Sequence, residues 1–351
     1  MKIQEHIPLA PFTTLKVGGP ARYFADAACV DDVRAAVDFA RSRGVPLFVL
    51  GGGSNLVVAD AGFPGLVLRI GLSGIEERRE DGKAIFEAGA GEDWDTFVAH
   101  TVAQGCAGLE CMSGIPGTVG GTPIQNVGAY GQEVAETIDS VRVLDLESNQ
   151  IQELCNPACE FAYRSSIFNT SRRGRYVVLA VRFALEPGGA PRIAYADLKK
   201  HFAGRDGTPS LAETRQAVRQ IRLSKAMLIV EGDEDCRSAG SFFKNPVVSE
   251  EQYRTLAQVA ASRGLEVPRF TAANGQLKVP AAWLVEQSGF GKGYARGAVG
   301  ISRRHALAVV NRGGATAAEI VALKDAIQAR VEETFGIRLA PEPVFLGFEK
   351  G

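Results

Sequence analysis

Two glycine-rich segments and four isolated polar residues are the parts of this chain whose types suit chemistry. The first segment is Gly51-Gly52-Gly53-Ser54-Asn55, and the second runs from Ser113 to Gly131. Glycine lets a backbone adopt positive φ and approach a ligand closely. Successive exposed N–H groups then form concavities that hold phosphate oxygens. The polar residues are Arg164 in FAYRSSIF, Tyr195 in IAYADLKKHF, Ser241 in SAGSFFKNP and Glu342 in LAPEPVFLG. An arginine fork matches both oxygens of a carboxylate, and a positioned hydroxyl or carboxyl group can move a proton. Each also has an ordinary structural explanation: a stacking arginine, a turn serine, a solvated loop glutamate, a tyrosine at a core edge. Taken singly, those are the commoner explanations.

The elements around them suggest how they are held. Asp31 to Arg43 reads as a helix, with Val33, Ala36, Val37 and Ala40 on one face. Pro46–Leu50, Leu56–Ala59 and Leu66–Ile70 read as strands, which places the first glycine segment between two strands. The middle of the chain is strand-dominated, with strands at Ala84–Ala88, Val141–Leu146 and Tyr176–Leu185 and a helix at Asp93–Ala103. A helix at Leu211–Leu223 leads out of it. Helices follow at Glu250–Arg263, Ala281–Gln287 and Thr316–Phe335, with a strand at Ala306–Asn311. Thr316 and Glu319 form a capping box and Gly336 a stop. Pro343–Phe348 is expected to be a strand that returns to the first unit.

The second glycine segment is long for a structureless loop, which marks it as functional or disordered. It carries Ile115, Val119, Ile124 and Val127, so it is read as ordered. The dinucleotide fingerprint GxGxxG and the P-loop GxxxxGK[ST] are both absent, so neither fold is supported.

Bulk properties narrow the function classes. With 351 residues the chain is too long for one ordinary core. A net charge of -1 gives no electrostatic argument for nucleic acid or an anionic membrane. The N-terminus lacks an apolar signal region, so the expectation is a cytoplasmic protein without a membrane partner. Six scattered cysteines, including Cys155 and Cys159, have no histidine partners at zinc spacing, and no metal is expected. The sequence does not give the oligomeric state; a monomer is the working expectation.

VLGGGSNLVV followed by SGIPGTVGGTPIQNVGAYGQE resembles the FAD-binding region of the UDP-N-acetylenolpyruvoylglucosamine reductase family. The resemblance runs over nearly the whole chain and extends to a subtype with a tyrosine-bearing insertion. It implies an α+β chain with a vanillyl-alcohol-oxidase-type FAD-binding fold. Residues 1–70 with 337–351 would form one FAD-binding subdomain, 71–223 the second, and 224–336 a substrate-binding domain. Gly51, Gly53, Ser54, Asn55, Gly114, Pro116, Gly117, Gly120, Gln125, Asn126, Gly128 and Tyr130 would contact FAD. Neither loop has His or Cys, so FAD would be held non-covalently.

The resemblance also implies a reaction: NADPH-dependent reduction of an enolpyruvyl ether on a UDP-sugar, in peptidoglycan precursor synthesis. Hydride would reach C3 from reduced FAD, and negative charge would build on C2 and its carboxylate. By the family's motifs Arg164 would hold that carboxylate, Ser241 would protonate C2, and Glu342 would polarise the carboxylate. Serine is a weak acid, so a neighbour must stabilise its alkoxide; Lys225, Lys244 and bound water are the alternatives. Tyr195 would close over the substrate, and Lys225, Asn245, Lys278 and Lys292 would face the uridine diphosphate. Phe270 stands where some members have Tyr, and His305 where some have Gln. Two other readings compete: a flavin oxidase on the same fold, and a nucleotide-sugar binder without catalysis. A binder needs no proton donor, so the set Arg164, Ser241 and Glu342 argues against the second.

Overall fold

The computed structural model describes residues 1–272 and 275–348. The chain divides into two compact units. The first comprises Met1–Ile7, Ala21–Gly53 and Pro64–Leu228; the second comprises Pro8–Pro20, Ser54–Phe63 and Ile229–Gly351.

In the first unit, helix α1 spans Val30–Arg43. Asp31 and Asp32 complement the positive end of its dipole, and Arg41 and Arg43 the negative end. Gly44, at φ 61°, closes it with its N–H on the carbonyls of Ala40 and Arg41. Its apolar face, Val33, Ala36, Val37 and Ala40, is buried in one cluster with Ala25, Leu66 and Leu68. Those last residues belong to a four-stranded sheet in the order Gln4–Pro8, Pro20–Ala27, Phe63–Ile70, Leu47–Leu50. Leu47–Leu50 lies parallel to Leu66–Arg69 at the edge of the sheet, so the first glycine segment leaves the end of a half-buried parallel strand.

The same cluster continues into a large antiparallel sheet. Its order is Ile151–Cys155, Ile138–Asp145, Tyr176–Pro187, Lys83–Gly89, Ile75–Glu80, with Cys106–Ala107 also paired to Tyr176–Pro187. Helix α2 spans Trp94–Ala103; the Asp93 carboxylate caps it by accepting from the Thr96 N–H. Trp94 is fully buried and donates its indole N–H to the Met112 carbonyl at 3.0 Å. Helix α3 is short, Ala196–His201, and α4 spans Leu211–Ser224 behind a Ser210/Glu213 capping box.

The second unit holds α5 (Glu250–Ala261), α6 (Ala281–Gln287) and α7 (Ala317–Phe335). The Thr316/Glu319 capping box forms as the sequence indicates, and Gly336 ends α7 at φ 67°. The Asp60 carboxylate also accepts from the N–H groups of Ala317 and Ala318. Ile320, Leu323, Ile327 and Val331 pack with Leu284, Val285, Phe242 and Phe243 in this unit's core.

Two expectations change in detail and one holds. The strand read at Ala306–Asn311 begins only at Val309, because His305–Ala308 form a turn with the Ala308 N–H on the His305 carbonyl. The C-terminal strand, Val344–Leu346, returns as expected to residues 1–70, where it lies parallel to Leu56–Val58. The three-part division is distributed differently by the two units. Residues 71–223 share a buried cluster with much of 1–70, whereas 8–20 and 54–63 join the C-terminal part. The α+β class stands, with mainly antiparallel sheets and a minority of helices.

Candidate active site

Within the first unit the two glycine segments meet. A methyl group on Gly51 would lie 2.9 Å from the Thr118 hydroxyl oxygen, and one on Gly52 would lie 2.5 Å from the Gly117 Cα. Only residues without a side chain allow that approach. The Thr118 Oγ1 is buried and has no hydrogen-bond partner. An unsatisfied buried hydroxyl costs free energy unless a ligand completes it. Closely packed backbone and an orphan hydroxyl are what a phosphate-bearing cofactor requires. Gly120 also packs closely: its N–H bonds the Ala90 carbonyl at 2.9 Å, and a methyl there would sit 2.6 Å from the Ala90 Cβ. Its glycine is needed for packing against the Ala90 backbone.

The start of the long loop is gripped from both sides. Gly114, at φ 73°, donates its N–H to Asp95 Oδ1 at 2.6 Å and accepts from Arg222 Nε at 3.0 Å. Arg222 is 8% exposed and also donates to the Met227 carbonyl at 2.7 Å. Burial pulls its guanidinium below the usual range. Asp95 also pairs with Arg215 and Arg219. Burial pushes its carboxyl up, but those arginines and the Gly114 N–H outweigh it, and the net shift is downward. Pro116 and Gln125 are half-buried in the same loop.

The end of the loop carries the arginine. Asn126, Tyr130 and Arg164 all have positive φ, at 46°, 49° and 53°. Arg164 donates to the carbonyls of Asn126 at 3.3 Å and Gly128 at 2.7 Å, and its guanidinium lies 5.3 Å from the Tyr163 ring centre. Tyr130 packs edge-on against Tyr195, with ring centres 5.3 Å apart. Burial raises the Tyr130 phenol. Tyr195 is 45% exposed and stands at the N-terminus of α3. Lys225 at the end of α4 pairs with Asp197 of α3. Burial pulls its ammonium down, but Asp197 outweighs that and the net shift is upward.

In the second unit a backbone ladder joins the serine and glutamate segments. The Glu342 N–H bonds the Phe242 carbonyl and the Lys244 N–H the Ala340 carbonyl, both at 2.9 Å, with Phe243 opposite Pro341. Ser241 and Glu342 therefore occupy neighbouring positions on paired segments, and both are half-buried. Phe242 and Phe243 anchor the pair in the core. Gly240, at φ 73°, turns the chain into Ser241. Asn55 donates to the Glu342 carbonyl at 3.3 Å and its own carbonyl accepts from Val344, so it braces the glutamate segment. The Ser54 carbonyl accepts from Thr14. Asn245 Oδ1 accepts the Ala281 N–H at 2.9 Å, which occupies it at the start of α6. Lys278 lies in a short strand between Val247 and Phe270, and Phe270 is exposed. Lys292 is an exposed loop residue. The His305 Nδ1 accepts the Leu307 N–H.

Among the described residues no group of His, Cys, Asp and Glu could hold a metal ion, and no helix is long and apolar enough to cross a membrane. Residues 232–346 match the family model for the UDP-N-acetylenolpyruvoylglucosamine reductase C-terminal domain, and residues 21–154 match an FAD binding domain. A UDP-N-acetylenolpyruvoylglucosamine reductase of Thermobifida fusca is 46% identical over 348 residues, 97% of each chain. The chain belongs to the UDP-N-acetylenolpyruvoylglucosamine reductase family. A relative of that name from Streptomyces coelicolor is 44% identical over 97% of this chain and 89% of its own. The crystal structure of a member from Thermus caldophilus superposes with a TM-score of 0.66 at 25% identity, covering 99% of both chains.

As a reductase of this family the chain is an FAD-dependent oxidoreductase. The cradle at Gly51, Gly52, Gly117 and Thr118 fits that cofactor. Of these, Gly52 and Thr118 escaped the sequence reading. Thr118 lies inside the long loop, between Gly117 and Gly120, and only its burial without a partner singles it out. Asp95 and Arg222 were missed as well, because each acts through a contact far along the chain.

Proposed function

We propose that the chain uses NADPH to reduce the enolpyruvyl ether of UDP-N-acetylenolpyruvoylglucosamine to the lactyl ether of UDP-N-acetylmuramate. The reaction belongs to peptidoglycan precursor synthesis in the cytoplasm. The observation that carries this reading is the backbone ladder that holds the Ser241 and Glu342 segments against each other. When bound, FAD supplies the hydride that C3 of the enolpyruvyl group receives. Arg164 holds the carboxylate as charge develops on it, with a geometry preset by two carbonyl contacts. Ser241 gives its hydroxyl proton to C2 and regains one from water. Glu342, as the neutral acid, polarises the carboxylate. The net change is one hydride at C3 and one proton at C2.

Lys225, Asn245, Lys278 and Lys292 are assigned to the diphosphate, where donors and point charges suit phosphate. Lys225 then exchanges Asp197 for the diphosphate. Tyr195 closes over the substrate from its packing against Tyr130.

The test is anaerobic. NADPH and UDP-N-acetylenolpyruvoylglucosamine are mixed with the yellow holoenzyme under nitrogen, and one NADPH is expected to disappear per substrate reduced. NADPH oxidation that ignores the sugar contradicts the reading. Oxygen uptake with an alcohol substrate would favour an oxidase instead. A colourless protein that cannot be reconstituted with FAD would exclude both.

A further inference from the structure

We propose that Asn126 is a positioning residue for Arg164, through which the flavin loop sets the geometry of the arginine. The resemblance counts Asn126 among the FAD contacts, but its side chain is committed elsewhere. It is 1% exposed. Its two amide hydrogens go to Glu133 Oε2 at 2.9 Å and the Ala162 carbonyl at 3.0 Å. Its carbonyl oxygen accepts the Ala135 N–H at 3.1 Å. An asparagine has two donors and one acceptor oxygen, so every group already has a protein partner.

Those partners have a common purpose. Ala162 and Ser165 bond each other's backbone, N–H to carbonyl, at 3.0 and 3.1 Å. They pinch off a tight turn whose two tip residues are Tyr163 and Arg164. Arg164 is the second tip residue and sits at φ 53°, where glycine is usual and a side chain costs about 1–2 kcal/mol. Strain of that kind persists only where the surroundings over-determine it. Asn126 grips the base of the turn through the Ala162 carbonyl. Its own carbonyl, with that of Gly128, receives the guanidinium. Ser166 and Asn169 complete the frame, Ser166 Oγ on the Ile124 carbonyl at 2.7 Å and Asn169 Nδ2 on the Arg164 carbonyl at 3.2 Å. Both ends of the arginine, backbone and guanidinium, are therefore referenced to residues 124–128.

The proposal rests on the reading of Arg164 as the group that holds the substrate carboxylate. Asn126→Gly keeps the positive φ and deletes the three side-chain bonds. Asn126→Asp keeps an αL-tolerant residue and the Ala135 contact but loses both donors. Three quantities are measured on each holoenzyme: FAD dissociation on dilution, by flavin fluorescence; flavin reduction by NADPH; and flavin reoxidation by the enolpyruvyl substrate, both by stopped flow. Both variants are expected to hold FAD and reduce it within about threefold of the parent. Reoxidation is expected to fall about 10²-fold, as for a catalytic group displaced by about 1 Å. Loss of FAD, or equal slowing of both half-reactions, would make Asn126 a cofactor contact or a structural residue and overturn the proposal. So would reoxidation at the parent rate. Arg164→Ala, run in parallel, separates the two layers. If it leaves reoxidation intact, the reading of Arg164 fails; if it abolishes reoxidation while both Asn126 variants do not, only the positioning role fails.

Discussion

Replacing Asp95 by alanine should loosen the flavin loop at its first turn. The Asp95 carboxylate accepts the Gly114 N–H at 2.6 Å and pairs with Arg215 and Arg219. Gly114 is buried, so its N–H would be left without its acceptor. A hydrogen bond to a charged group contributes about 1.5–3 kcal/mol. The pair with Arg219 adds little, because that arginine side chain is 42% exposed. The loop then loses about 2–4 kcal/mol of restraint, drawn from those two contributions. Bound FAD must supply the ordering that Asp95 supplied, and about 1.4 kcal/mol is tenfold in affinity. The dissociation constant for FAD, followed by fluorescence recovery on diluting the holoenzyme, should therefore rise about 30- to 700-fold. Asp95→Asn keeps an acceptor oxygen for Gly114 and should stay within about tenfold. If Asp95→Ala lowers the melting temperature but leaves FAD affinity within about threefold, Asp95 merely braces α4 and the argument about the loop is wrong.

Other consequences follow from contacts of the same kind. The Asp145 carboxyl is fully covered, and its hydrogen bonds from Arg175 hold it down at about 2 against an ordinary 3.8. A depressed carboxylate stabilises the fold above its unfolded pKa and loses that contribution as pH falls through the folded value. The stability gap between parent and Asp145→Asn, measured by urea unfolding, should be on the order of 2 kcal/mol at neutral pH and shrink between about pH 4 and 2. Gly120→Val would drive a side chain into Ala90 and should destabilise the protein by about 1–3 kcal/mol, read as a lower melting temperature. If Lys225 turns to the diphosphate during turnover, Asp197→Asn removes its competitor. KM for the UDP-sugar should then fall by about two- to fivefold with kcat unchanged, since a half-exposed ion pair contributes under about 1 kcal/mol.

Elements governed by local pattern were legible in the sequence. α7 shows its capping box, its apolar stripe and its terminal glycine within one stretch of chain, and its bounds agree to a residue. The strand Ile75–Glu80 was not legible: its sequence is IEERRE, nearly all exposed, and it is recognisable only as the charged edge of a sheet whose partner is buried. α3 is too short to show a period. At the site, the glycine segments were visible as motifs, but their contact was not, since Gly52 and Gly117 are far apart in sequence. Asn55 illustrates the same limit: the motif names it as a cofactor contact, and nothing in the motif shows that its amide also donates to the Glu342 carbonyl. Tertiary hydrogen bonds leave no trace in composition or periodicity.

In the proposed reaction Ser241 acts only after the flavin has been reduced. The most direct measurement is stopped-flow analysis of Ser241→Ala in both half-reactions. Flavin reduction by NADPH should proceed at nearly the parent rate, while reoxidation by UDP-N-acetylenolpyruvoylglucosamine should collapse by about 10²- to 10⁴-fold, the usual contribution of a general acid. Equal loss of both half-reactions, or undiminished reoxidation, would mean that Ser241 is not the proton donor.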